Sequence, residues 1–198
     1  MLFPQEARLL SGVAVKRARE FAAGRLCARR ALVELGGVEV PLEVDDDRQP
    51  RWPPAFTGSI THTEGFCGAA VAKHGHIRAL GLDAEIVGQV SPEIWHEIMA
   101  PPELAWMQTL PATEQVNAAA LIFSAKEAFF KCQFAVTGEW LDFQAVTVGY
   151  SGHGAGVRTF VVRPLIKMAL FEHTVTSLTG RYVFSNNLVF AGMALTVS

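Results

Sequence analysis

The feature that most constrains this chain is a charged stripe inside an otherwise apolar stretch, Phe123-Ser124-Ala125-Lys126-Glu127-Ala128-Phe129-Phe130-Lys131. On a helix, residues three and four apart share a face, so Ser124, Glu127 and Lys131 align while Ile122, Phe129 and Phe130 can turn to a core. A second stretch, Gly81-Leu82-Asp83-Ala84-Glu85, closes an apolar run of strand character. Side chains two apart share one face of a strand, so Asp83 and Glu85 project together. Three carboxylates and one lysine can then converge. Oxygen-only ligands suit a hard cation such as Mg²⁺, which keeps several waters and takes one or two carboxylates plus phosphate oxygens of a substrate. The two stretches together predict a metal-dependent site for a phosphorylated substrate. Each alone is ordinary: an i, i+4 Glu/Lys pair also suits a solvated helix face, where it contributes a few tenths of a kcal/mol.

Two blocks of one long helix plus strands emerge along the chain. The first helix is expected over 13–35, with Phe21, Ala28, Leu32 and Leu35 spaced for one buried face and Gly36-Gly37 stopping it. Gly24 inside it costs stability relative to alanine, so something should approach the backbone there. The segment 38–54, with Asp45-Asp46-Asp47 and several prolines, reads as a loop or frayed strand. Strands follow over 58–63, 66–73 and 77–82. Ser91-Pro92-Glu93 and Pro102-Glu103 each mark a short helix. The second long helix is expected over 113–134, and strands over 145–150, 157–162, 182–185 and 188–195, with hairpin turns at 152–156 and Asn186-Asn187.

Charge is distributed unevenly. Up to Arg30 there are seven basic residues, Arg8, Lys16, Arg17, Arg19, Arg25, Arg29 and Arg30, against Glu6 and Glu20. From Asp83 to Asp142 only Lys126 and Lys131 are basic. One part can attract anions and the other can hold a cation, as a magnesium-bound polyphosphate requires. Aromatic residues do not interleave with the arginines, so nucleic acid is not the expected partner. No apolar run approaches the length of a membrane span and the first residues lack signal-peptide character, so a soluble cytoplasmic protein is expected. Cys27, Cys67 and Cys132 form no C-x-x-C pair and read as reduced packing residues. P-loop, dinucleotide-binding, H-E-x-x-H and serine-elbow patterns are absent.

In order, Arg17-Ala18-Arg19-Glu20-Phe21-Ala22-Ala23-Gly24-Arg25, Arg48-Gln49-Pro50-Arg51-Trp52-Pro53, Gly58-Ser59-Ile60-Thr61-His62, the Gly81 to Glu85 and Phe123 to Lys131 stretches and Glu139-Trp140-Leu141-Asp142-Phe143 resemble the 4'-phosphopantetheinyl transferases of the Sfp type. The resemblance is closest to the EntD-like branch that primes siderophore and other secondary-metabolite carrier-protein synthases, and it runs from about Arg17 to Phe143. It implies an α+β fold of two pseudo-duplicated halves, 1–84 and 85–198, each a long helix on an antiparallel sheet, with the active site between them. Arg25 and Arg48 would contact coenzyme A, with Arg17 a further candidate. Thr61 and His62 would meet its 3'-phosphate, and Lys131 its pyrophosphate. Asp83, Glu85 and Glu127 would hold Mg²⁺, and Glu127 would also act as general base. The activity implied is transfer of the phosphopantetheine arm to a serine of an apo acyl, peptidyl or aryl carrier protein, releasing 3',5'-ADP, by an enzyme active as a monomer. Some of the large apolar side chains from Ile94 to Met107 would receive the carrier. A binding regulator without turnover, or a pyrophosphate hydrolase, are the alternatives that the residues leave.

Overall fold

A computed structural model of the chain describes residues 2–150, 156–171 and 175–197. It divides into two compact units, residues 1–80 with 194–198, and residues 81–193.

In the first unit a short helix α1 (Pro4–Arg8) precedes the long helix α2 (Val15–Glu34), followed by strands β1 (Phe56–Thr63) and β2 (Phe66–Lys73). The strands form an antiparallel hairpin with His62 opposite Cys67, and α2 packs on both. Ala28 and Leu32 on α2 meet Leu42 and Phe56 in a core completed by Leu35, Trp52, Ile60, Ala69 and Val71. Gly24 shows why the helix tolerates a glycine there: a β-carbon would sit 2.9 Å from the Ile60 side chain. The segment 38–54 stays irregular, with one bridge between Val44 and Pro50. Asp45 accepts the Gln49 N–H at 2.8 Å, so this aspartate closes a turn.

No local pattern in the sequence announces what anchors α1. Glu6 is fully buried and accepts two hydrogen bonds from Arg29 Nη1, at 2.7 and 2.8 Å, plus the backbone N–H groups of Leu42 and Phe3, both at 2.9 Å. Arg29 lies over the Phe3 ring, and Arg25 donates its Nε to the Leu42 carbonyl at 2.7 Å. One carboxylate thus ties α1, α2 and the following loop together.

In the second unit, strand β3 (Ile77–Ile86, from Gly81 onward) is followed by a 3₁₀ turn at Pro92–Ile94 and helices α3 (Trp95–Ile98), α4 (Pro101–Met107) and α5 (Ala112–Thr137). Strands β4 (Val146–Tyr150), β5 (Arg158–Pro164), β6 (Leu178–Ser185) and β7 (Leu188–Thr196) complete it. The five-stranded sheet runs in the order β3-β7-β6-β5-β4, with antiparallel pairing from β4 through β7. Phe160 lies across from Gly180, where its ring fills the place of a side chain. Asn186 and Asn187, both at positive φ, make the tight turn expected between β6 and β7. Of the turn expected at 152–156, Gly152 to Ala155 lie outside the described residues. Helix α5 ends at Gly138 in the left-handed region, where its N–H closes on the Phe134 carbonyl. Ile98, Met99 and Met107 are buried against α5, whereas Ile94 and Trp106 are exposed. The structure is α+β, and among the described residues no helix is long and apolar enough to cross a membrane.

Removing one partner of a buried ion pair leaves the other charge uncompensated, at a cost of about 3–5 kcal/mol. Glu39, 3.3 Å from Arg29 Nε and largely exposed, stays beside the guanidinium, so Glu6→Ala should lower stability by up to about that amount in urea denaturation, and a wild-type midpoint would show that α1 is not held this way.

Candidate active site

On β3, Gly81, Asp83 and Glu85 alternate onto one face of the strand. A β-carbon at position 81 would run into the backbone carbonyl of Ala128 and lie 2.9 Å from Cys132 Cβ, so the strand meets α5 at backbone contact there. Further along the same face come Asp83 and Glu85. Helix α5 presents Glu127 just before Ala128, and Lys131 one turn after Glu127. The side chains then meet: Lys131 Nζ lies 2.7 Å from Asp83 Oδ1, 3.2 Å from the Leu82 carbonyl and 4.0 Å from Glu127 Oε2. Glu85 Oε1 accepts its neighbour's Ile86 N–H at 2.7 Å.

Electrostatics follow from this geometry. Burial raises the Glu127 proton affinity most, the Asp83 and Glu85 charges add to the rise, and Lys131 opposes it. Glu85 is raised in the same way, first by burial and then by Asp83. Among the described residues, no three His, Cys, Asp or Glu side chains already stand as a metal-holding group. The donor set nevertheless suits a hard divalent cation: three carboxylates against one ammonium leave two negative charges on half-buried ground. Beside Glu127 opens a cavity of about 170 Å³ lined by Phe129, Phe130, Trp140, Leu141 and Phe143. Trp140 packs on Phe130 and Phe134 at ring separations of 5.4 and 4.9 Å.

Lys126, next to Glu127 in sequence, faces the interior. Its ammonium donates to Glu103 Oε2 at 2.6 Å and to the carbonyls of Ile98 and Phe143 at 2.9 and 2.8 Å, which uses all three N–H bonds. Glu103 also accepts the N–H groups of Ala100 and Val148. Burial lowers the Lys126 proton affinity and Glu103 counters it. The only sequence signal for this pair was Glu103 at the start of a proline-led helix. Ser124, aligned with Glu127 and Lys131 by periodicity, is fully buried, and its Oγ makes no hydrogen bond among the described residues.

The basic residues expected at the site besides Lys131 belong to the first unit. Arg17 on α2 reaches His62 on β1, Nη1 to Nε2 at 2.7 Å, and Glu20 stands beside both, 3.2 Å from His62 Nε2 and 3.6 Å from Arg17 Nη1. Thr61, the residue before His62, points to the other strand face and is buried with Thr57 and Ser59. Arg25 is buried over the Phe21 ring at 4.3 Å, and burial brings its proton affinity down to about 10. Arg48 is exposed in the aspartate turn, at positive φ. Arg17 and His62 are therefore brought together, whereas Arg25 is held by the Leu42 carbonyl, Arg48 lies in the aspartate turn and Thr61 lies on the other strand face.

Two family models match the chain: the 4'-phosphopantetheinyl transferase N-terminal domain over residues 5–72 and the 4'-phosphopantetheinyl transferase superfamily over residues 79–184. The chain is 34% identical to 4'-phosphopantetheinyl transferase Svp of Streptomyces mobaraensis, over 98% of this chain and 79% of that one. It is also 34% identical to 4'-phosphopantetheinyl transferase PptT of Mycobacterium tuberculosis, over 97% and 85%. Enterobactin synthase component D of Escherichia coli K12 is 33% identical over 67% of this chain and 63% of that one.

Because any side chain at position 81 must displace a helix carbonyl, Gly81→Ala should cost about 3 kcal/mol or more. It should also separate the β3 carboxylates from Lys131, so activity should fall further than the loss of folded protein explains. Chemical denaturation and activity per folded molecule check both, and unchanged values would mean that the backbone contact is dispensable.

Proposed function

The chain belongs to the 4'-phosphopantetheinyl transferase superfamily and is an enzyme of that class, and on this premise we propose that it transfers the phosphopantetheine arm of coenzyme A to a serine hydroxyl of an apo acyl, peptidyl or aryl carrier protein in a Mg²⁺-dependent reaction that releases 3',5'-ADP. The observation that carries the reading is the convergence of Asp83, Glu85, Glu127 and Lys131 from β3 and α5. Asp83, Glu85 and Glu127 would hold Mg²⁺, which when bound neutralises charge on the pyrophosphate.

The chain's own groups then divide the work. Lys131 offers its ammonium to the phosphate oxygens, where charge develops as the pyrophosphate bond breaks. Glu127 accepts the proton of the carrier serine, directly or through water. The serine oxygen bonds to the phosphorus that bears the pantetheine, and the bond from that phosphorus to 3',5'-ADP breaks. The apolar cavity beside Glu127, with Phe130 and Trp140 in its lining, suits the narrow pantetheine chain. Arg17 and His62 are assigned to the 3'-phosphate, with Arg25, Arg48 and the Thr61 hydroxyl as further coenzyme A contacts. Both groups of site residues lie on one chain, which supports a monomeric enzyme, and we place the reaction in the cytoplasm.

Incubation with coenzyme A, Mg²⁺ and an apo carrier should add the phosphopantetheine mass to the carrier and release 3',5'-ADP in equal amount; nucleotide release without carrier modification would identify a hydrolase instead. Glu127→Gln should lower kcat by about 10²–10⁴ while coenzyme A binding largely survives. Lys131→Ala should lower kcat and raise KM for coenzyme A together, since its contact is already made with the bound phosphate and strengthens as charge develops in the transition state. If both variants turned over like wild type, the stripe would be only a solvated helix face. Chelation of Mg²⁺ should stop transfer, and re-addition should restore it.

A further inference from the structure

Glu20 has no part in the chemistry above, yet it stands among the residues assigned to the phosphate. Its carboxylate lies one helical turn after Arg17, with Oε2 3.2 Å from His62 Nε2 and 3.6 Å from Arg17 Nη1. The same Arg17 nitrogen is 2.7 Å from Nε2. A guanidinium nitrogen only donates, so its contact requires the Nε2 lone pair, whereas a contact with carboxylate oxygen requires a proton on Nε2. One ring nitrogen cannot satisfy both neighbours at once. Without that proton, Nε2 is an acceptor tied to Arg17 and has nothing to donate to an anion. With it, Nε2 is a donor toward Glu20 in either the neutral Nε2–H tautomer or the imidazolium, and it offers Arg17 no lone pair.

We propose that Glu20 is a positioning residue for the phosphate subsite: it keeps the Nε2 proton on His62, so that His62 and Arg17 both face the anion as donors. This rests on the assignment of Arg17 and His62 to the 3'-phosphate. The charged and titratable groups around His62 fit this role. Helix α2 contributes Arg17 and Glu20, and β2 places Cys67 opposite His62. Burial pushes the Cys67 thiol up to about 11, so it stays neutral at neutral pH. Glu64 lies in the turn between the strands, exposed to solvent. Glu20 itself repels a bound phosphate, but a partly exposed carboxylate is screened by water and salt. The charge-assisted hydrogen bond that it secures is about twice as strong as a neutral one.

Calorimetric titration of coenzyme A and dephospho-coenzyme A into wild type, Glu20→Gln, Glu20→Asp, His62→Ala and the double variant Glu20→Gln/His62→Ala tests the proposal. Glu20→Gln should weaken coenzyme A binding about tenfold, the size of one hydrogen bond to a charged group, and change dephospho-coenzyme A by less than about twofold. Glu20→Asp should restore most of the loss. The double variant should bind coenzyme A no more weakly than His62→Ala alone, because Glu20 acts through His62. A merely structural role would weaken both ligands equally and would overturn the proposal. So would additive losses, or tighter binding by Glu20→Gln, which would make Glu20 a stand-in anion that the phosphate displaces. If His62→Ala alone weakened both ligands equally, the phosphate assignment beneath the proposal would fall; if it were selective while Glu20→Gln bound like wild type, only the role of Glu20 would fall.

Discussion

A helix backbone can touch a strand backbone only where one of them lacks a side chain, and in the second unit that residue is Gly81. The α5 carbonyl of Ala128 occupies the space that any β-carbon at position 81 would need. This contact sets the distance from which every neighbouring side chain reaches. Strand alternation carries Asp83 and Glu85 along the face that Gly81 opens, while helical spacing places Glu127 and Lys131 on either side of Ala128. The 2.7 Å contact of Lys131 with Asp83 is a consequence of two periodicities meeting at one glycine.

Charges elsewhere in the chain are few, and some of them are deeply buried. Helix α5 is apolar over most of its surface, so Lys126 can lie inside only because Glu103 and two carbonyls receive all of its N–H bonds. Glu6 and Arg29 follow the same rule in the first unit. Such pairs add little net stability over apolar packing, but they penalise any arrangement that leaves one member unpaired. In α5 that penalty fixes the rotation of the helix, which keeps Lys126 inward and its neighbour Glu127 on the side of Asp83 and Glu85. Adjacent residues of like polarity thus take opposite roles: one orients the helix and the other faces the chemistry.

Legibility in the sequence was uneven. The long helices, the first hairpin and the Asn186-Asn187 turn could be read because each is specified by local periodicity or by residues that tolerate positive φ. The boundaries shifted by a few residues: β3 continues to Ile86, and β4 begins at Val146 after a 3₁₀ turn. The close approach at Gly24 was legible as a cost without a local reason, and Ile60 proved to be the reason. Helix α1 and its buried Glu6 were not legible. A five-residue helix has little periodicity, and a lone glutamate carries no mark of a partner 23 positions away.

The sequence by itself determined the ingredients of the candidate site, because residue type and spacing fix which side chains share a face: Asp83 with Glu85, and Glu127 with Lys131. It also determined the family, since the order of those motifs along the chain is independent of how they pack. Only the tertiary structure decided which of the equivalent-looking charges go where. Lys126 and Lys131 look alike in sequence, as do Arg25 and Arg17, but Lys126 and Arg25 are held by buried acceptors while Lys131 and Arg17 reach toward site residues. Thr61 and His62 are neighbours in the chain and face opposite ways in the strand. The physical reason is that a long polar side chain takes its role from the nearest acceptor, and that acceptor is supplied by a segment distant in sequence, so no local pattern can announce it.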